Sequence, residues 1–105
     1  MKNIRVNELK KWMNINKQFQ LIDVRESFEW DICKIPNAEL IPMNSIPNNL
    51  DKIRKDIPVV VHCKKGGRSQ RVIEHLKLHN FTNLINLEGG ILEWIVKIDN
   101  TMEKY

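Results

Sequence analysis

The chain has 105 residues, with 42% apolar and 29% charged side chains and a net charge of +4. That composition fits one soluble globular domain over residues 1–105 and excludes a disordered or coiled-coil chain. No apolar stretch approaches the roughly 20 residues of a membrane span, and the N-terminal "MKNIRVNELKKWMN" lacks the continuous apolar segment of a signal peptide, so a cytoplasmic protein with no membrane partner is expected.

Short apolar runs alternate with helix-like segments, without repeats or linkers. "NIRV" reads as a first short strand. Asn7 is placed to cap "ELKKWMN", where Leu9, Trp12 and Met13 share one helical face. "FQLIDV" reads as a strand ending at Asp23, "SFEWDI" as a short helix begun by Ser27, and "AELIPM" as a short strand closed by Pro42. "NNLDKIRK" predicts a helix over residues 48–55. "PVVVH" is the most strand-like run, and Pro58 stands at its start, where a missing N–H is tolerated. From Ser69 to His79 the pattern is amphipathic, with Val72, Ile73 and Leu76 on one face, and Asn80 follows where a left-handed cap is expected. "NLINL" gives a last strand and "GGILEWIVKI" a last helix. Alternating elements with continuously apolar strands predict an α/β fold, a mostly parallel sheet of about five strands covered by helices on both faces.

Ligands in such folds bind beyond the carboxyl ends of the strands, and Cys63 stands at such an end, in "VVVHCKKGGRS". Without a secretion signal, two cysteines point to thiol chemistry or burial and not to a disulfide framework. Gly66 and Gly67 free the backbone to curl several N–H groups toward one centre. A helix follows at once, its positive end facing the same point, and Lys64, Lys65 and Arg68 add charge. A free thiol with a pKa near 8.5 is only a few per cent thiolate at neutral pH. The helix end contributes about 0.5–1 kcal/mol. Each cation about 8 Å away, at an effective dielectric of about 40, adds about 1 kcal/mol. Because about 1.36 kcal/mol is one pKa unit, a thiolate-dominated Cys63 is expected. Scattered lysines with no basic run point away from nucleic acid and toward an anionic small molecule or an acidic partner.

Four motifs in order resemble the single-domain rhodaneses, sulfurtransferases that carry sulfur as a cysteine persulfide. "LIDVRESFEW" is similar to that family's Asp-Val-Arg strand end, "KIPNAELIPM" to its Ile-Pro-Gly-Ala segment, "CKKGGRS" to its Cys-x-x-Gly-x-Arg loop, and "NLEGGILEW" to its Gly-Gly-x-x-x-Trp. The resemblance implies the rhodanese-like fold and Cys63 as nucleophile. It implies Lys64, Lys65, Gly66, Gly67, Arg68 and Ser69 as the cradle for the substrate, and Asp23 and Arg25 lining or bracing the pocket. It implies no metal and no organic cofactor. The donor would be a small anion such as thiosulfate, and the acceptor cyanide or a thiol, with a sulfur-carrier protein or a cysteine desulfurase as protein partners. Trp94 would pack near the loop, while Trp12 and Trp30 are expected to anchor the core.

The chain departs from the pattern at Cys33-Lys34, where the family often has Gly-His, at Asn37, where glycine is common, and at bulky Lys65. Cys33 is expected to fill a gap in packing, its alternative being a thiol that resolves a persulfide on Cys63. His75 and His79 have a metal-compatible spacing, but no third ligand is evident and a solvated face is expected. Two other functions fit the sequence less well. A cysteine phosphatase of the same fold has five residues between cysteine and arginine, whereas four separate Cys63 from Arg68, and a phosphoryl group has three equatorial oxygens to cradle where an outer sulfur is one atom. A non-catalytic partner-binding module would not need the intact thiol and glycine loop.

Overall fold

The computed structural model describes residues 1–105. Its strands are β1 (Asn3–Ile4), β2 (Gln20–Asp23), β3 (Glu39–Leu40), β4 (Val59–His62) and β5 (Leu84–Leu87), and its helices α1 (Val6–Asn14), α2 (Ser27–Ile32), α3 (Gly67–Lys77) and α4 (Gly90–Lys97). The strands form one sheet in the order β1-β5-β4-β2-β3, and every pairing is parallel. All residues of β2, β4 and β5 are buried, as expected of strands covered on both sides.

Alternation along the strands divides the core in two. On one face Ile22, Val59, Val61 and Cys63 meet Val72, Ile73 and Leu76 of α3. On the other, Leu21, Val60 and Ile85 meet Val6 and Leu9 of α1 and Ile91, Trp94 and Ile95 of α4. Cys33 is buried in this second cluster. The two thiols therefore lie in clusters on opposite faces of the sheet, and the structure gives Cys33 a packing place there. Trp12 is half-buried against the same cluster, 5.5 Å from the ring of Phe19. Trp30 is half-buried outside both clusters, with Lys34 Nζ 4.9 Å from its ring centre.

Two elements differ from expectation. The first helix starts at Val6 with Arg5 at its cap, two residues earlier than the Asn7 cap predicts. Burial explains it: Val6 joins Leu9 on the buried face, leaving the strand only Asn3 and Ile4. Residues 48–55 do not form an α-helix. Short 3₁₀ turns occupy Met43–Asn48 and Leu50–Lys52, and Ile53 is already extended and buried. Pro47, which lacks an N–H, falls inside the first turn. Asparagine substitutes for glycine where the chain must turn left-handed: Asn80 has φ 66° after α3, and Asn37 has φ 69° where the rhodanese pattern has glycine.

Candidate active site

Strand β4 lies inside the sheet, between β5 and β2, and delivers Cys63 just past its carboxyl end. The chain then reverses through Lys64, Lys65 and Gly66 into α3. Gly66 has φ 125° and ψ −12°, a conformation that side chains rarely adopt, and its N–H donates to Cys63 Sγ at 3.0 Å. Ser69 Oγ lies 3.5 Å from the same sulfur. Cys63 is 1% exposed. It borders an open cavity of about 420 Å³ whose other walls are Lys64, Lys65, Gly67, Arg68 and Arg71. Burial pushes the thiol up, but the hydrogen bonding around the sulfur, with the backbone N–H groups of Ser69, Gly66 and Lys65 converging on it, outweighs burial and holds Cys63 below the ordinary thiol value. Beside it, burial keeps His62 below its ordinary value and therefore uncharged at neutral pH.

The loop points its N–H groups at the sulfur, so its carbonyls must find donors elsewhere. Helix α4 supplies them from its own unpaired first turn. Ile91 N–H donates to the Cys63 carbonyl at 3.0 Å and Leu92 N–H to the Lys64 carbonyl at 3.2 Å. This approach requires Gly90, where a β-carbon would overlap the Lys64 and Cys63 carbonyls. Trp94, three residues beyond Ile91, belongs to the core cluster on the face opposite Cys63; the helix touches the loop through backbone.

Behind the cavity runs a chain of ion pairs. Arg68 makes two bonds to Glu29, at 2.6 and 3.0 Å. Glu29 also accepts from Tyr105 Oη at 2.6 Å, and Tyr105 Oη accepts from Arg25 Nη1 at 2.8 Å. Arg25 pairs with Asp23 at 2.7 Å and donates to the Cys33 carbonyl, also at 2.7 Å. The Arg68 hydrogen bond, opposed by burial and helped by Tyr105, holds the Glu29 carboxyl down at about 2. Burial pushes the Tyr105 phenol up to about 12. Asp23 and Arg25 are fully buried and do not line the cavity. They connect to it through Glu29 and Tyr105, and their ion pair is an interior one.

Of the residues singled out in the sequence, the structure thus gathers Cys63, Lys64, Lys65, Gly67 and Arg68 around one cavity, with Gly66 and Ser69 against the sulfur. Lys64 Nζ lies 4.3 Å from the Tyr105 ring centre, while Lys65 and Arg71 are exposed at the cavity. Sequence reasoning missed Arg71, Glu29, Tyr105 and Asn86, whose side-chain oxygen accepts from Ser69 Oγ at 2.5 Å. Arg71 was findable, since it follows Arg68 by three residues on one helical face. Glu26 and Glu29 form a reciprocal cap on α2, a spacing visible in the sequence, but nothing local marks Glu29 as the partner of Arg68.

Comparison with known proteins agrees with the fold. The family described as Rhodanese-like domain matches residues 5–97. The putative sulfurtransferase YtwF of Bacillus subtilis is 35% identical over 94 residues, which are 90% of this chain and 90% of YtwF. The probable adenylyltransferase/sulfurtransferase MoeZ of Mycobacterium tuberculosis is 36% identical over 104 residues, 97% of this chain but 26% of MoeZ. The chain therefore spans about a quarter of the length of that relative. The crystal structure of a rhodanese-like domain protein from Staphylococcus aureus superposes with a TM-score of 0.85 at 38% identity, covering 100% of this chain and 99% of that one.

Proposed function

This chain belongs to the rhodanese-like domain family, and from that premise we propose that it transfers sulfane sulfur through a persulfide on Cys63. The observation that carries the reading is the sulfur itself: a buried Sγ receiving the Gly66 N–H at 3.0 Å, beside a cavity walled by Lys64, Lys65, Arg68 and Arg71. Such a site favours a thiolate and attracts a dianionic donor such as thiosulfate.

In the first half-reaction the Cys63 thiolate attacks the outer sulfur of thiosulfate. The Cys63 S–S bond forms, the S–S bond of the donor breaks, and its electron pair leaves with sulfite. The negative charge of the persulfide then rests on the terminal sulfur, where the N–H groups of the loop support it. In the second half-reaction an acceptor such as cyanide or a thiolate attacks that terminal sulfur, and the electron pair returns to Cys63 as thiolate. Neither half needs an external oxidant. A protein acceptor, such as a sulfur carrier, would use the same open mouth.

Intact-mass analysis after thiosulfate treatment tests this. One added sulfur atom is expected, removed by reductant and mapped to Cys63, and Cys63→Ser should lose both the adduct and turnover. Turnover retained by Cys63→Ser ends the proposal. Absence of any adduct on the parent chain favours a binding module, and aryl-phosphate hydrolysis abolished by Cys63→Ser favours a phosphatase.

A further inference from the structure

Beneath the active loop, three acceptors compete for one proton. Ser69 is fully buried, and its hydroxyl lies 2.5 Å from Asn86 Oδ1, 3.0 Å from the Gly66 carbonyl and 3.5 Å from Cys63 Sγ. A serine hydroxyl donates once. The shortest contact, to Asn86, takes that proton, so the sulfur faces a serine lone pair. That arrangement suits a thiol: Cys63 S–H donates to Ser69, and Ser69 O–H donates to Asn86. It does not suit a thiolate or a persulfide, which need a donor.

Asn86 can supply the opposite arrangement. It is 3% exposed on β5, and its Nδ2 faces Asn3 Oδ1 at 3.4 Å. Turning the amide over brings Nδ2 to the serine, which then accepts from Asn86; its proton is left to the Gly66 carbonyl at 3.0 Å or the sulfur at 3.5 Å, and an anionic sulfur is the stronger acceptor. Asn3 is exposed and can turn its own amide to match. The two arrangements are relays of opposite direction with the same atoms.

We propose that Asn86 is a positioning residue for sulfur transfer: its buried amide sets the direction of the Asn86–Ser69–Cys63 relay, and Ser69 donates to sulfur only when the amide turns its N–H face to the serine. The proposal rests on the reading of Cys63 as the sulfur carrier. Ser69 adds to the stabilisation of an anionic sulfur in one of the two states only, whereas the Gly66 N–H serves both. Other charges near Cys63 are Lys64, Lys65, Arg68 and Arg71 at the cavity and Glu29 behind Arg68. The buried His62 has its ring nitrogen near Asp23. None of these side chains hydrogen-bonds to the Asn86 amide, whose partners are Ser69 and Asn3.

Two substitutions of similar size separate the relay from plain packing. In Asn86→Asp the carboxylate only accepts, so the serine proton is held away from sulfur. In Asn86→Leu nothing competes for it from that side. The thiolate titration, read by ultraviolet absorbance and by alkylation rate, should move up by about one pH unit in Asn86→Asp and stay at or below the parent value in Asn86→Leu. Sulfur loading at neutral pH should slow about tenfold in the aspartate variant, in kcat more than in KM. Charge alone would act equally with or without the serine, so in Ser69→Ala the aspartate effect should shrink to under about threefold. If Asn86→Asp does not fold, the Asn86 side-chain amide resonances of the parent protein give the answer: they should follow the Cys63 titration, and follow it several-fold less in Ser69→Ala. Equal thiolate midpoints in the two Asn86 variants, or amide resonances indifferent to the titration, overturn the relay. A parent chain that titrates as stated but never takes up sulfur upholds the relay and overturns the carrier reading instead.

Discussion

Gly66 and Gly67 are the cap and first residue of α3, Gly89 and Gly90 those of α4, and the two pairs meet at the same loop under different constraints. In the first pair only Gly66 is conformationally forced, at φ 125°, and an added β-carbon there would find Asn86 Nδ2 no nearer than 3.8 Å. Gly67 has open space around it. In the second pair both residues are left-handed, at φ 81° and 59°, and a β-carbon on Gly90 would overlap the Lys64 and Cys63 carbonyls. The first pair gives the loop its shape. The second lets α4 come close enough to hold it.

The comparison ranks four experiments. Gly90→Ala combines left-handed strain with backbone overlap, so it should cost at least about 3 kcal/mol. That corresponds to a fall in Tm of about 10–20 °C, and sulfur loading should drop about a hundredfold. An alanine variant that loads at the parent rate would mean that the loop holds itself. Gly66→Ala meets strain without overlap and should cost about 1–3 kcal/mol, with loading down about tenfold because the N–H aimed at sulfur moves. A larger loss there than in Gly90→Ala would reverse the ranking.

Neither glycine carries charge, so neither variant should change how stability responds to acid. Glu29→Gln should. In the folded protein Glu29 holds its charge down to about pH 2, against an ordinary value of 4.5. Its contribution is therefore complete above about pH 5 and lost as pH falls through the folded value. Denaturant titrations should place Glu29→Gln below the parent at pH 7, with the two curves converging toward pH 2. A constant gap across that range would assign the loss to packing. Gly67→Ala is the smallest change. At an open, helix-compatible position alanine should be neutral or stabilise by about 0.4–1 kcal/mol, with loading within about twofold; a loss like that of Gly66→Ala would show that Gly67 too is conformationally forced.

What the sequence disclosed follows the range of the interactions involved. The α/β architecture was legible because apolar runs and helical periodicity are local, and Asn80 was legible because a left-handed cap is a property of one residue. The cavity around Cys63 was legible because its walls lie within nine residues of chain, Cys63 to Arg71. Glu29 and Arg68 are 39 residues apart and Arg25 and Tyr105 are 80 apart, and no spacing rule joins such partners. The helix expected over residues 48–55 failed for a related reason. Its apolar residues, Leu50 and Ile53, pack on the α3 face of the sheet without a helix, and tertiary burial outweighed weak local propensity.

The place of β4 in the sheet has a consequence for biosynthesis. Residues emerge from the ribosome in order, so β2, β4 and the loop appear before β5 and α4 exist. Until residues 84–92 are in place, β4 lacks its β5 neighbour, and Ile91 and Leu92 are missing from the loop carbonyls. A nascent chain halted before residue 84 should therefore alkylate at Cys63 no faster than free cysteine, and the released chain much faster. On the proposed reading a reactive thiol at Cys63 would form last, when the folded chain already buries it.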